Sequence, residues 1–444
     1  MANGAANRKI GVVTFNHEVT VIGDGTKAPV TLAGDRLSNF DQLLATSKQE
    51  AAQRLTKPVG ETQASLKQKL DAIEETGPTA LGPGILTAVG MAAEGTAGSS
   101  VVICTDGLAN IGLGAFDECR TEADTRAAEE FYERVGQIAS TAGVTVNIIS
   151  IEGDECNLDA LSKLAELTGG QVERVNPTTL TQDFANMLSV PVIATQVEAK
   201  VKLHKGLQFR NELATDLSAD KSLLARHFGN VTAETIFTFE YGMKLISQLL
   251  EMEDVDMASI THFPFQTQIK YTALDGSKCL RVITKRMEVS GEREELNQVS
   301  DQRMISKNVV AKGTTMARAG NLKAAQAIMK GYNRAAKKNM CNEEQFMQQQ
   351  RYQEECQEVY NMMGDAVASD DEEESEMMGA MGGGGGEDMM CAMPMQMSMP
   401  QPQSMSMKKA APRSKAVKSS VGGSERLNDD FSAKLYKMSR PSKK

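Results

Sequence analysis

Several features are missing from this sequence, and each absence excludes a class of protein. There is no tryptophan among the 444 residues, and no run approaches the roughly eighteen apolar residues of a membrane-spanning helix. Residues 1–11 contain no apolar signal-peptide core. A Gly-x-x-x-x-Gly-Lys-Ser/Thr phosphate loop is also missing, which argues against a GTPase. We therefore expect a cytoplasmic protein with no transmembrane segment.

Motifs for zinc binding and catalysis are absent too. The seven cysteines include no Cys-x-x-Cys pair, so we expect no structural zinc and predict free thiols in a reducing compartment. The four histidines are scattered and form no HxH or HExxH pattern. No nucleophile beside a base and no pair of carboxylates stands out. The sequence therefore predicts a protein that is not an enzyme.

Charge argues against nucleic acid as the main ligand. The net charge is −10, with an acidic run at residues 370–376 and a basic segment after residue 408. Between them, residues 389–407 alternate methionine with proline, glutamine and serine beside Cys391. Thioethers and a thiol can bind Cu(I), but low-complexity disorder is the favoured interpretation. We therefore expect a protein partner rather than a nucleic acid.

Hydrophobic periodicity predicts an α/β domain over residues 9–190. Apolar segments at residues 9–15, 101–105 and 144–151 have the character of buried strands, and helical patterns lie between them. Residues 18–22 alternate and pair with the first strand as a hairpin. Strands that alternate with helices indicate a mostly parallel sheet covered on both faces.

Three further segments follow the α/β domain. Residues 196–288 alternate like strands, and Asp275-Gly276 is a hairpin signal, so we predict a β-sandwich. Residues 292–363 are predicted to be helical and mostly polar, with apolar residues along one face. Residues 365–444 are acidic, then rich in glycine and methionine, then basic, and predict a disordered tail. Within that tail, residues 427–436 could form a short docking helix.

One stretch of the α/β domain concentrates the candidate functional residues. Residues 101–114 read VVICTDGLANIGLG, in which residues 101–104 predict a buried strand and Asp106 lies on the turn after it. Ligands of open α/β sheets bind just beyond the carboxyl ends of strands. A second turn places Thr79 at the opening of a helix. Asp106 and Thr79 are therefore expected to face a cofactor, a metal or a partner, with a capping or turn role as the alternative.

The α/β segment resembles a von Willebrand factor A domain. The likeness rests on the order of KIGVVTFN, GPTALGPGILTA, VVICTDGLANIG, VNIISIEG and LSKLAELTGGQVERV. In that family a divalent metal at the end of the sheet is held by an Asp-x-Ser-x-Ser motif, a threonine and the aspartate of a Thr-Asp-Gly turn. The resemblance implies Thr79 and Asp106 as Mg²⁺ ligands and Thr79, Asp106 and Asn110 as the partner surface. The open metal position would accept a carboxylate from a partner protein.

This chain departs from the family at one important place. No Asp-x-Ser-x-Ser precedes residues 9–15, so the family's first, central strand and three of its metal contacts are absent. The strands at residues 9–15 and 101–105 are then expected either to pair directly or to flank a gap. A truncated copy and a degenerate site are both compatible with this pattern. In either case Thr79 and Asp106 alone would hold magnesium poorly.

The later segments resemble other proteins more faintly. VKLHKGLQFRNE and FQTQIKYTALDGSKCLRVIT are similar to the trunk of COPII inner-coat subunits, in which the same kinds of domain follow one another. That order also occurs in protist proteins of the circularly permuted Ras type. The leading hypothesis is a von Willebrand A-type scaffold for protein binding, with an incomplete metal site. The alternative is a COPII-like trunk protein in intracellular vesicle transport.

Overall fold

The structure is a computed structural model that describes residues 6–73, 77–117, 119–250, 260–381, 418–421 and 424–439. Its first unit is an α/β domain that opens with an antiparallel hairpin. The elements in order are β1 (Val12–Phe15), β2 (Val19–Gly23), β3 (Val30–Leu32), a 3₁₀ helix (Gly34–Ser38), α1 (Phe40–Arg54), α2 (Val59–Leu70), α3 (Leu81–Ala92), β4 (Ser100–Thr105), α4 (Glu122–Thr141), β5 (Thr145–Ile151), α5 (Leu158–Thr168), β6 (Val172–Val175) and α6 (Leu180–Ser189). The predicted α/β class is confirmed.

The strands of this domain form two sheets rather than one. The first three are antiparallel in the order β1-β2-β3, and the next three are parallel in the order β4-β5-β6. Across the described part of the chain, β1 pairs only with β2 and β4 pairs only with β5. Strands β1 and β4, which the sequence predicts either to pair directly or to flank a gap, therefore do not pair with each other and belong to separate sheets.

Helix α3 packs on both β1 and β4. Ten of its twelve residues are buried, which explains why its sequence, LGPGILTAVGMA, is apolar all round. The glycines in this helix allow close approach, since a Cβ on Gly84 would lie 2.8 Å from the Phe15 ring. One helix thus joins the two sheets.

Strand β4 is less buried than its apolar sequence predicts. Val101 and Ile103 are buried, but Val102 is half-buried and Cys104 is exposed. Successive side chains of a strand point to opposite faces, so only one face of β4 is fully covered. The prediction of a buried strand through Cys104 is wrong at that residue. By contrast, β5 is buried along all but its last residue, as a central parallel strand should be.

The second unit is a β-sandwich of a four-stranded and a two-stranded sheet. Its elements are β7 (Val192–Lys202), β8 (Leu207–Phe209), a 3₁₀ helix (Ala214–Asp216), β9 (Leu223–Thr232), β10 (Tyr241–Met243), α7 (Ile246–Leu250), β11 (His262–Thr272) and β12 (Lys278–Glu288). The larger sheet has the antiparallel order β12-β11-β7-β9, and the smaller pairs β10 with β8. Within the predicted sandwich, alternation indicates strands over residues 197–203, 235–241 and 265–271. It does not indicate β9, and the strand indicated over residues 235–241 begins only at Tyr241.

The third unit is helical and extends further than predicted. Its helices are α8 (Arg293–Gln298), α9 (Gln302–Arg318), α10 (Leu322–Asn339) and α11 (Glu343–Met381), so α11 continues through the acidic run. After it come β13 (Lys418–Val421), β14 (Ser424–Leu427) and α12 (Asp429–Ser439). Helix α11 thus extends into the tail expected over residues 365–444, and the short docking helix expected over residues 427–436 corresponds to α12. The methionine-rich residues 389–407 lie outside the described residues.

Polar contacts connect the three units. The Arg318 guanidinium on α9 donates a hydrogen bond to the Glu166 carboxylate on α5. Asn230 on β9 donates its side-chain N–H to the Thr145 hydroxyl on β5 at 3.0 Å. None of the described helices is long and apolar enough to cross a membrane.

Candidate functional site

The turn after β4 exposes one carboxylate. Buried Thr105 donates its hydroxyl to the backbone carbonyl of Gly107 at 3.0 Å, which fixes the turn around Asp106. The Asp106 side chain is exposed, and within the described residues its carboxylate has no hydrogen-bond or ion-pair partner. The structure thus places Asp106 at the carboxyl end of a strand, as predicted, with its charge free to meet another molecule.

Thr79 and Asn110, which the sequence assigned to the same site, are in direct contact. The Asn110 side-chain oxygen accepts a hydrogen bond from the Thr79 backbone N–H, and the Asn110 N–H donates to the Thr79 carbonyl at 3.1 Å. A third bond runs from the Ile111 N–H to the same carbonyl at 3.4 Å. Because Ala80 donates to the carbonyl of Asn16 at 2.6 Å, the end of β1 joins the same cluster.

The capping alternative for Thr79 is not what the structure shows. The N-cap residue of α3 is Ala80, and no side chain caps that helix end. Thr79 instead uses its backbone to hold the loop that carries Asn110. The remaining groups that it can offer a ligand are its hydroxyl and that already bonded backbone.

The glycines of residues 107–114 have separate roles. Gly112 and Gly114 have φ angles of +77° and +71°, which only glycine adopts without strain. A Cβ on Gly112 would lie 2.8 Å from the Pro83 side chain, whereas a Cβ on Gly107 would meet nothing within 4 Å. Tyr132 then donates to the Gly114 carbonyl at 3.0 Å. The loop is therefore rigid at its base and open at Gly107.

The side chains present do not fit a resident magnesium ion. Mg²⁺ requires about six oxygen ligands in near-octahedral geometry, and the predicted set supplies one carboxylate and one hydroxyl. Among the described residues, no group of three or more His, Cys, Asp or Glu side chains could hold a metal. Thr79 and Asp106 by themselves make an incomplete site.

The other residue types considered for chemistry are dispersed. His17, His204, His227 and His262 lie on four separate segments. The six cysteines that the structure describes are free thiols, as expected. Cys104, two residues before Asp106, is exposed on the partly covered face of β4.

A second polar cluster was not predicted from the sequence. Arg174 on β6 binds Asp429 on α12, and its Nη1 lies 3.0 Å from the aspartate Oδ2. The acidic pair that precedes Phe431 does indicate a helix start. Nothing in the sequence indicates that Arg174, 255 positions away, is its partner.

Comparison with known proteins gives a partial match in sequence and a broader one in fold. No protein-family model matches the chain. It is 34% identical over 286 residues to circularly permutated Ras protein 1 of Dictyostelium discoideum, a match that covers 64% of this chain and 32% of that protein. This chain thus spans about a third of the curated relative that it matches.

Solved structures provide the second comparison. Human COPII-coat protein Sec24c superposes with a TM-score of 0.51 at 14% identity, over 73% of this chain and 44% of that one. The chain has a Sec24-like fold. The ArnB paralog VWA2 of Sulfolobus acidocaldarius matches with a TM-score of 0.37 at 11% identity, over 79% of this chain and 76% of that one. At these identities the likeness to Sec24c concerns the fold alone.

Proposed function

We propose that this chain is a non-enzymatic scaffold for protein binding, and that Thr79, Asp106 and Asn110 form its partner surface. The proposal rests on the exposure of the Asp106 carboxylate. This carboxylate is exposed and unpaired among the described residues, while the loop beside it is held by the Thr79–Asn110 bonds. A surface ordered before binding loses less conformational entropy when a partner docks.

The chemistry of this surface sets what a partner has to bring. A basic side chain or a backbone N–H can bind the Asp106 carboxylate directly. An acidic residue of the partner can reach it only through a bridging cation such as Mg²⁺, since two carboxylates otherwise repel each other. In that case the partner or a further segment has to supply the missing oxygen ligands.

Affinity purification of the full chain tests this proposal. Tagged wild type is compared with Asp106→Ala and with Glu94→Ala, which removes an exposed acid just beyond the far end of α3. We expect at least one associated protein to fall more than tenfold with Asp106→Ala and to persist with Glu94→Ala. Equal melting temperatures of the three proteins exclude unfolding as the cause.

Repeating the purification with EDTA separates the two binding modes. A partner lost both in EDTA and in Asp106→Ala is held through a cation, whereas one lost only in Asp106→Ala binds the carboxylate directly. If every associated protein survives Asp106→Ala, the end of β4 is not the partner surface and the proposal fails.

A second function, a coat-like trunk in intracellular vesicle transport, is favoured by the extent of the Sec24c match. That match covers 73% of this chain, so it cannot be limited to the α/β domain, which ends near residue 190. Purification of the tagged chain after mild cross-linking tests this idea. Recovery of coat subunits or small GTPases is the expected result, and their absence from the cross-linked material would reject the coat function.

A further inference from the structure

Helix α12 occupies a groove between the α/β domain and the helical unit. Phe431 and Leu435 are both 0% exposed and belong to the core of the helical unit, with Tyr352 and Cys356. Tyr436, which is 2% exposed, packs instead in the core of the α/β domain. The helix therefore has two apolar faces, each covered by a different unit.

The first turn of α12 is anchored by a carboxylate. The Asp429 side chain is 1% exposed, and its two oxygens accept hydrogen bonds from the backbone N–H groups of Cys156, at 2.5 Å, and Leu158, at 2.7 Å. These N–H groups lie at the start of α5, where the helix dipole favours an anion. The Arg174 side chain, 7% exposed, adds a charged hydrogen bond to Asp429.

Two further contacts extend this recognition. Arg174 Nε lies 2.9 Å from Oδ1 of Asp430, so one guanidinium is close to both acids of the pair. Two turns further on, the Tyr436 hydroxyl donates to the Gly170 carbonyl at 2.9 Å. The groove thus recognises three features spaced along one helix. They are the adjacent Asp429 and Asp430 carboxylates, the buried Phe431 and Leu435 side chains, and the Tyr436 hydroxyl.

The chain between α11 and α12 is long enough for α12 to leave this groove. Lys434 forms an ion pair with Glu358, so α12 lies beside the part of α11 that is 23 residues (381 − 358) before its end at Met381. That stretch of helix is about 35 Å long. Residues 382–417 could span on the order of 120 Å if extended. The tether is long enough for α12 to leave the groove and return, or to bind a second copy.

We propose that residues 427–439 are a tethered ligand of this groove rather than a fixed part of the core. The groove recognises a helix that begins Asn-Asp-Asp-Phe and carries Leu-Tyr one turn later, and it can bind that segment in trans. This groove and the Asp106 turn share one end of the parallel sheet, because Ser150 on β5 pairs with both Thr105 and Arg174.

Cleaving the tether and adding the free peptide tests exchange directly. A protease site is inserted after Gly386 in the full chain, and the cleaved protein is incubated with excess fluorescent peptide of residues 424–444. We expect the carboxyl-terminal fragment to co-elute with the body before the peptide is added. It should then be replaced by the peptide, with a rise in anisotropy.

Variant peptides make the test specific. Asp429→Asn should weaken binding about 100-fold, because it removes the buried charge that pairs with Arg174, and Lys437→Ala, at an exposed position, should change binding less than twofold. Lack of any exchange during prolonged incubation would show that α12 is a permanent part of the fold. Equal binding of the Asp429→Asn and wild-type peptides would likewise overturn the proposed recognition.

Discussion

Asp429 accepts a hydrogen bond from the backbone N–H of Leu158 at 2.7 Å, although the two residues are 271 positions apart. Through this contact the last described helix closes on the start of α5, beside the sheet end that carries Asp106. The α/β domain and the helical unit are thereby joined through a segment that lies after both of them in the chain.

Removal of the Asp429 carboxylate should destabilise the protein strongly. Asp429→Ala leaves the buried Arg174 without its hydrogen-bonded acid and two backbone N–H groups without an acceptor. Breaking a buried ion pair costs about 3–5 kcal/mol, and this is an upper limit here because Asp430 remains beside Arg174. The urea midpoint of the full chain measures the loss. Asp430→Ala, at a side chain that is 35% exposed, is the control and should cost less. Equal losses from the two variants would contradict the anchoring role of Asp429.

Stability should depend on pH through Glu155, whose carboxylate accepts the Asp429 backbone N–H at 2.8 Å. Burial, and then the charge of Asp429, raise the pKa of Glu155 above its ordinary value of 4.5. The stability that protonated Glu155 contributes is therefore complete below pH 4.5 and is lost as pH rises through the folded-state pKa. Glu155→Gln keeps an acceptor without the charge, so it should raise the melting temperature at pH 7 relative to wild type.

Melting curves of wild type and Glu155→Gln between pH 4 and pH 8 check this. The difference in melting temperature between the two proteins should shrink as the pH falls toward the pKa of Glu155 in the unfolded state. A variant that is less stable than wild type at pH 7, or a constant difference over the whole range, would contradict the assigned direction.

Gly82 should not tolerate a side chain, because α3 lies directly against the loop of residues 107–114. A Cβ at this position would lie 1.9 Å from the Leu113 carbonyl oxygen, a backbone atom that cannot move alone. Gly82→Ala should cost about 1–3 kcal/mol or more. Gly107→Ala, where nothing lies within 4 Å, is the matched control and should leave the melting temperature nearly unchanged. Equal melting temperatures for both variants would show that α3 and the loop are not rigidly packed.

Calorimetric titration with Mg²⁺ tests the incomplete metal site. Wild type and Asp106→Ala should both give only the heat of dilution, because one carboxylate and one hydroxyl do not meet the ligand requirement of magnesium. A binding isotherm in wild type that disappears in Asp106→Ala would show that the chain supplies further ligands, and would overturn the conclusion about the donor set.

Local sequence patterns predict much of the α/β domain and part of its site. Strand β5 and helix α5 follow from apolar periodicity with a glycine stop, and Thr79 and Asn110 do lie together, because motif order places their turns at one sheet end. Strand β9 was missed since LLARHFGNVT alternates poorly. At Gly229 it turns with a φ of +62°, where a Cβ would lie 2.4 Å from the Leu167 carbonyl.

The carboxyl-terminal third shows why the rest could not be predicted. Composition alone indicates disorder after residue 365, but α11 begins within a packed unit and continues into the acidic run. A helix propagates more easily than it starts, so a polar segment can extend one already formed. Burial of Asp429 depends on Arg174 and on the start of α5, which are distant in sequence, and no local pattern encodes that pairing.

Site-specific photo-cross-linking tests most directly whether the end of β4 is a partner surface. A photoreactive residue at Gly107 lies on the proposed surface, and one at Gly291 in the segment between β12 and α8 is the control, since a Cβ at either position meets nothing within 4 Å. We predict that Gly107 yields a discrete cross-linked protein that Gly291 does not, and that Asp106→Ala abolishes it. Identical cross-links from both positions, or none from Gly107, would contradict the account.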